Sequence, residues 1–302
     1  MSQAAAAART RTPSRPAGLL ARSGGVPTLI FIGPFLLYVA AFLILPTLML
    51  LTTAFSGAGG FTWRYVGALD QTQTLIAFRN SIELSAASAL VGLVIGTLAA
   101  YFVMRPGMPR GLRSLVTTFS AVAANFAGVP LAFAFIATLG SLGVITVWLK
   151  SIGIDLYGAG FRLYSIFGLV IVYAYFQVPL MIIVITPALE ALRAQWREAA
   201  ENLGASSVDY WRYVGLPILL PSLLSAFILL FGNAFSAYAT PYAISSGIVA
   251  LVPVEISNVL SGNVMLSPQT GAALAFGMIV VMVVVMGLYA LIARRVGRWS
   301  RR

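Results

Sequence analysis

Six stretches without a charged residue dominate this chain: 23–63, 84–104, 114–149, 163–189, 213–254 and 256–293. Each reaches the roughly 20 apolar residues that an α-helix needs to cross a bilayer. Lipid offers no partner to a free backbone N–H or C=O, so runs of this length fold as helices. Helices are expected near 27–53, 80–104, 115–138, 164–187, 218–243 and 271–293. A chain that is 60% hydrophobic and only 9% charged, with mean hydropathy +0.94, is an all-α polytopic membrane protein rather than a soluble domain. The first run is too long for a signal-peptide core and lacks a convincing cleavage site, so it is expected to stay as an anchor. Interval 114–149 could hold two crossings; one is expected, with Gly143 to Lys150 an interfacial segment anchored by Trp148.

Charge placement supports that count. The chain has 19 Lys plus Arg against 8 acids and a pI near 10.4, a balance that could suggest nucleic acid. With six spans, however, fifteen of the basic residues fall on one side: Arg9, Arg11, Arg15, Arg22, Arg105, Arg110, Arg113, Arg193, Arg197, Arg212, Arg294, Arg295, Arg298, Arg301 and Arg302. Arg64, Arg79, Lys150 and Arg162 fall on the other. The positive-inside rule then makes both termini and the central loop cytoplasmic. A second crossing within 114–149 would send the central loop and the C-terminal tail outside, against that rule. No nucleic acid is expected as a partner; the bilayer is.

The central loop is the most charged interval between the tails. Leu192, Trp196, Ala199 and Leu203 recur at helical spacing, and Arg197 and Glu201 form an i,i+4 pair on another face. Gly204 stands where that helix should stop in a left-handed residue. Ser206-x-x-Asp209 predicts a capping box opening a second short helix, and Pro217 and Pro221 mark entry to the next span. A helix–Gly–helix knob at a membrane face suits docking into another protein.

Glu198-Ala199-Ala200, three residues, Gly204, nine residues, then Val214-Gly215-Leu216-Pro217 resembles the EAA loop of permease subunits in binding-protein-dependent ABC importers, with Val214 where the family has Ile. The resemblance extends from about residue 76 to the C-terminus and implies a type I importer transmembrane fold. Residues 1–25 are then a disordered basic cytoplasmic tail, 26–75 the first helix and external loop, 76–294 a five-helix core with its EAA loop at 190–217, and 295–302 a second basic tail. Attraction of the N-terminal tail to anionic lipid is favoured over docking of a partner. The implied assembly has an ABC ATPase dimer bound through Glu198, Ala199, Ala200, Gly204, Leu216 and Pro217. It adds a second homologous permease or a second copy, and an extracytoplasmic solute-binding protein. Within the family, the Asn125–Pro130 turn, Leu163-Tyr164-Ser165 and Tyr173–Pro179 look most like the spermidine/putrescine-type branch, which implies a polyamine-like solute. Relatives for thiamine, ferric ion and phosphonate belong to the same branch.

Polar residues inside spans mark pathways or brace bundles. The candidates are Glu83, Asn125, Gln177, Asn233, Ser236 and Tyr238. Glu83 is expected to pair with Arg79 one turn earlier. Gly92 and Gly96 in span two predict close helix packing.

The absences bear on mechanism. With no Cys and no His, disulfides, Cys/His zinc sites and thiol or imidazole catalysis are excluded. No Gly-x-x-x-x-Gly-Lys-Ser/Thr loop occurs, and Lys150 is the sole lysine. The chain itself is expected to bind no cofactor and to be non-catalytic, with ATP and Mg²⁺ held by the partner ATPase. A secondary transporter would place ionisable groups near mid-bilayer in related half-repeats; neither is found. An intramembrane enzyme would need catalytic groups inside a span, whereas Asp70, Asp155 and Asp209 all fall in loops. A non-transport scaffold leaves the Glu-Ala-Ala spacing unexplained.

Overall fold

The computed structural model describes residues 25–57, 59–105, 107–261 and 268–297. The tail residues Arg9, Arg11, Arg15, Arg22, Arg298, Arg301 and Arg302 lie outside them. The chain falls into two units, Met1–Leu50 and Leu51–Arg302. Among the described residues, six stretches are long and apolar enough to cross a membrane: Ile32–Ala54, Thr72–Val103, Val129–Ser151, Ile166–Glu190, Ser207–Phe235 and Pro268–Arg295.

In the N-terminal region α1 (Gly25–Val39) runs through a wide π-turn, Ala40–Ile44, into α2 (Leu45–Ala54). The Leu45 N–H reaches back to the Ala40 carbonyl. That extra residue per turn sits just ahead of Pro46, whose ring would otherwise crowd the preceding turn. The same arrangement recurs ahead of Pro217. There the π-turn Trp211–Gly215 joins α9 (Ser207–Tyr210) to α10 (Leu216–Phe235) without a break.

Within the second unit, a two-stranded ribbon follows: β1 (Ser56–Gly57) pairs antiparallel with β2 (Gly60–Phe61). Its aromatics gather around Phe55, which stacks on Phe61 at 5.5 Å and meets Trp63 and Phe276 edge-on, each at 5.1 Å.

The packed centre is α7 (Ile166–Glu190) against α3 (Thr72–Val103). The stripe Ser81, Ser85, Ser88, Gly92, Gly96 and Ala100 buries on α3. A methyl added at Gly96 would lie 2.5 Å from Met181 Cβ, and one at Gly92 2.8 Å from Leu230 Cδ2. Small residues therefore let the backbones approach, as expected. Around α7 two apolar clusters form, one on Tyr173 and Phe176 with Leu84 and Leu131, the other on Met181 and Ile185 with Leu219 and Leu230. The C-terminal helices α12 (Val252–Ser261) and α13 (Pro268–Gly297) pack on each other. Asn80 and Ser81 hold the chain ahead of α12 through the Ala250 carbonyl (3.1 Å) and the Val252 N–H (2.9 Å).

Two expected spans are not single helices. The stretch placed at 115–138 is α4 (Arg110–Asn125) followed, after a break, by α5 (Val129–Leu139). The apolar candidate span there is Val129–Ser151, and it includes α6 (Val144–Ser151), which carries the exposed Trp148. The cause is local: Gly128 takes φ +77° and Pro130 opens the next helix, so the α4 ladder cannot continue. The stretch placed at 218–243 breaks likewise, between α10 and α11 (Ala239–Ser245).

Candidate coupling loop and helix breaks

The central loop begins with α8 (Ala194–Asn202), where Arg197 Nε lies 2.9 Å from Glu201 Oε1. Gly204 follows with φ +79°. Its N–H donates to the Glu201 carbonyl at 2.9 Å and the Ala205 N–H to the Ala200 carbonyl at 3.0 Å. This double closure is the Schellman motif, and it satisfies carbonyls that a helix end leaves free. Ser206 then opens α9 in a capping box. The Asp209 N–H donates to Ser206 Oγ at 3.2 Å, and the Ser206 N–H to Asp209 Oδ2 at 3.1 Å.

Both local signals predicted from the sequence are present, with one difference. The second helix is not a separate short piece, because it continues through the π-turn into α10. Leu216 and Pro217 therefore lie inside one uninterrupted rod from Ser207 to Phe235.

The loop buries nothing of α8. Glu198 and Ala199 are exposed, and Ala200 is half-buried. Leu203 is 88% exposed and Val208 74%, flanking Gly204 on either side, and Trp196 and Tyr213 are exposed too. These apolar side chains stand together, exposed, on a built turn.

At the other end of α10 the two helix breaks meet. The Gly128 N–H donates to Thr240 Oγ1 at 2.8 Å, and the Thr240 hydroxyl donates to the Gly128 carbonyl at 3.3 Å. Asn125, Asn233, Ser236 and Tyr238 lie exposed at or beside these breaks. Asn125 Nδ2 caps back onto the Ala121 carbonyl (2.8 Å) and Ser236 Oγ onto the Gly232 carbonyl (2.9 Å). Tyr238 stacks on Tyr242 at 5.2 Å, and its hydroxyl accepts from Ser257 Oγ at 2.8 Å. Non-helical backbone at membrane depth is tolerated where it is buried in protein or lines a cavity.

The remaining candidates lie elsewhere. Gln177 is fully buried and donates to the Leu230 carbonyl at 2.9 Å, a brace between α7 and α10. Glu83 is exposed on α3, and the expected pair with Arg79 is not made. The ion pairs among the described residues are Lys150–Asp155 and Arg197–Glu201. Thr240, Tyr242 and Ser257 were not singled out from the sequence. The Thr240-Pro241 pair, a helix-start signal, was the available clue to the second break.

Two broken membrane helices tied to each other, with an exposed helical turn leading into one of them, define a polytopic membrane protein. The chain belongs to the family of binding-protein-dependent transport system inner membrane components, whose model matches residues 92–298. It is 26% identical over 268 residues to the spermidine/putrescine transport system permease protein PotC of Haemophilus influenzae, covering 86% of this chain and 95% of that one. It is 27% identical over 198 residues to the molybdenum transport system permease protein ModB of Mycobacterium tuberculosis, covering 64% and 71%. The sulfate permease protein CysT of Salmonella typhimurium is 24% identical over 220 residues, covering 72% and 74%. In fold it matches a chain of a bacterial ABC transporter that imports the acidic polysaccharide alginate, with TM-score 0.70, 19% identity and coverage of 89% and 96%. A chain of the MetNI methionine ABC transporter gives TM-score 0.52 at 17% identity, covering 74% and 95%. The protein is thus an inner-membrane permease component of an importer, with the fold of ABC importer transmembrane domains.

Proposed function

We propose that this permease docks an ABC ATPase dimer through α8, Gly204 and α9, and carries that motion to the helix breaks along the α9–α10 rod. One observation carries the reading. Val208, beside the exposed Leu203–Gly204 turn, and the exposed Asn233, beside the break at Ser236, lie on one unbroken helix, Ser207–Phe235. A displacement at one end therefore biases the other, as coupling between two sites requires. The loop and both termini are cytoplasmic in this reading. ATP and Mg²⁺ belong to the ATPase, and this chain is non-catalytic. A second permease, a homologue or a copy of this chain, completes the pathway, and an extracytoplasmic binding protein delivers the solute.

The solute is small and polar, with a polyamine the first candidate. Aromatic faces at Tyr238 and Tyr242 suit an ammonium group, and the PotC likeness covers most of both chains. The second reading is an oxyanion such as molybdate or sulfate. It is favoured by the neutral donors Asn125, Asn233 and Tyr238 at the breaks, and by the ModB and CysT likenesses.

Reconstitution with a cognate ABC ATPase and solute-binding protein tests both levels. Copurification and solute-stimulated ATP hydrolysis are expected, with putrescine or spermidine giving the larger stimulation. Stimulation by molybdate or sulfate alone would select the second reading, and failure of the ATPase to copurify would overturn the coupling assignment.

A further inference from the structure

Four arginines from separate places in the chain line one cleft of about 290 Å³ beside the coupling loop. Arg105 follows α3, Arg113 lies in α4's opening turns, Arg193 is the N-cap of α8 and Arg197 lies on it. A second cleft of about 500 Å³ adjoins it and shares Arg105 and Arg197. Glu190 is the carboxylate among the described lining residues.

Their charge is largely uncompensated. Arg197 is held by Glu201, but Arg105, Arg113 and Arg193 make no ion pair with a described carboxylate. Arg105 rests over the rings of Tyr101 and Phe102 at 5.8 and 6.0 Å, and Arg193 over Trp196 at 5.9 Å. Arg113 donates Nη2 to the Met104 carbonyl at 3.3 Å, while its buried Nε has no acceptor. Like charges drawn into one partly enclosed cleft repel one another, and an unpaired buried donor adds its own desolvation cost. An oxyanion relieves both, and the guanidinium fork suits phosphate bidentately in a way an ammonium does not.

We propose that this cleft binds a phosphate group, carried by an anionic phospholipid or free in solution. The apolar part of the lining, Leu189, Leu192 and Trp211, matches the glycerol and upper acyl region of a lipid. Its place at the ends of α3 and α7 is where a spanning helix meets the headgroups. The choice of the cytoplasmic leaflet rests on the orientation proposed above; that leaflet carries the anionic lipid. At about 290 Å³ the cleft is close to the lower end, about 300 Å³, of the usual range for small-ligand sites.

The full-length permease, purified alone in mild detergent, is offered phosphatidylglycerol or phosphatidylcholine, and retained lipid is read by native mass spectrometry. Inorganic phosphate is tested separately by thermal shift. Wild type should retain phosphatidylglycerol at least about tenfold more than phosphatidylcholine, and R105Q/R113Q should lose that preference. A shift with phosphate alone, abolished in the double variant, assigns the site to a soluble anion; lipid retention without it assigns the site to the headgroup. If the double variant does not accumulate, R105Q carries the same test, since Arg105 is itself exposed. Equal retention of both lipids with no phosphate shift, or unchanged behaviour in the variant, overturns the proposal. So does loss of ATPase pull-down with lipid and phosphate binding intact, which would make the cleft a seat for an acidic side chain of the ATPase. No ATPase enters the lipid or phosphate measurements, so their failure leaves the coupling reading standing.

Discussion

Gly128 and Thr240, 112 positions apart in the chain, exchange hydrogen bonds across the breaks of two membrane helices. The N–H at the head of α5 finds its acceptor there, not in its own helix. Thr240 is 3% exposed, so water does not readily substitute for the hydroxyl. Replacing Thr240 by Val keeps the shape and leaves the Gly128 N–H unpaired, which costs about 1–3 kcal/mol. The expected result is a lower melting temperature for T240V in detergent, with T240S near wild type. Equal melting of all three would mean that packing alone holds the two breaks together.

Topology is read with single cysteines, because the native chain has none. Ser207 is exposed and lies beside the capping box without forming it, so Ser207→Cys leaves Ser206–Asp209 intact. It should react with an impermeant maleimide only after permeabilisation. Ser56→Cys, on the β1–β2 ribbon, should react in intact cells. Labelling of Ser207→Cys from outside would reverse the orientation and remove the ATPase from α8.

Asn233 is exposed one turn before α10 breaks, at the far end of the rod from the coupling loop. Asn233→Leu removes a polar contact for the solute while keeping the number of side-chain heavy atoms and favouring the helix. Transport should fall with the complex still assembled and ATPase association unchanged. Normal transport by N233L, or loss of the subunit from the membrane, would take Asn233 out of the pathway.

Asp155 offers a titration with a worked sign. Its carboxylate accepts from the Gly158 N–H at 2.8 Å and lies 3.4 Å from Lys150 Nζ. The Gly158 N–H is the largest cause and holds its pKa below the ordinary 3.8; burial, the next largest, pushes it up, and Lys150 lowers it further. A carboxylate depressed in the folded state stabilises its turn above the unfolded pKa, and that contribution is lost as pH falls through the folded value. The chain has Asp at 70, 155 and 209 only, so carboxyl-labelled NMR can resolve it. Lys150→Gln should move the Asp155 titration upward by part of the shift only. A complete return to the ordinary value would make Lys150, not Gly158, the main cause.

The legible parts of the fold were those governed by neighbours in sequence. Gly204 and Ser206-x-x-Asp209 follow rules that operate within five residues, and the turn geometry matches them. The breaks were harder to see. Residues 114–149 carry no charge, so dividing the chain at its charged residues does not register the interruption at Gly128; the polar residues Ser114, Thr117, Thr118, Ser120 and Asn125 all precede it, and with Gly128-x-Pro130 they were the available signal. Gln177 was visible as a polar residue, but the side it faces is set by where α10 packs. Thr240 gains its role from a partner 112 residues away, which no local pattern encodes.

The coupling loop admits the sharpest test. At Gly204, φ is +79° and a Cβ would meet no atom within 4 Å, so in the permease alone a side chain costs only backbone strain, about 1 kcal/mol. Asn tolerates the left-handed region better than most residues. Gly204→Asn and Gly204→Asp should therefore both insert and accumulate normally. In the assembled complex the same side chains meet the docking groove, where bulk is the larger effect. Both variants should lose ATPase association or uncouple hydrolysis from transport, whereas Glu198→Ala, which keeps the Schellman turn, should give a milder defect. Pull-down of the ATPase and solute-stimulated hydrolysis in reconstituted complexes are the measurements. Should G204N dock and couple normally while G204D fails, the added charge and not bulk is responsible. If both behave as wild type, this turn is not what the ATPase grips.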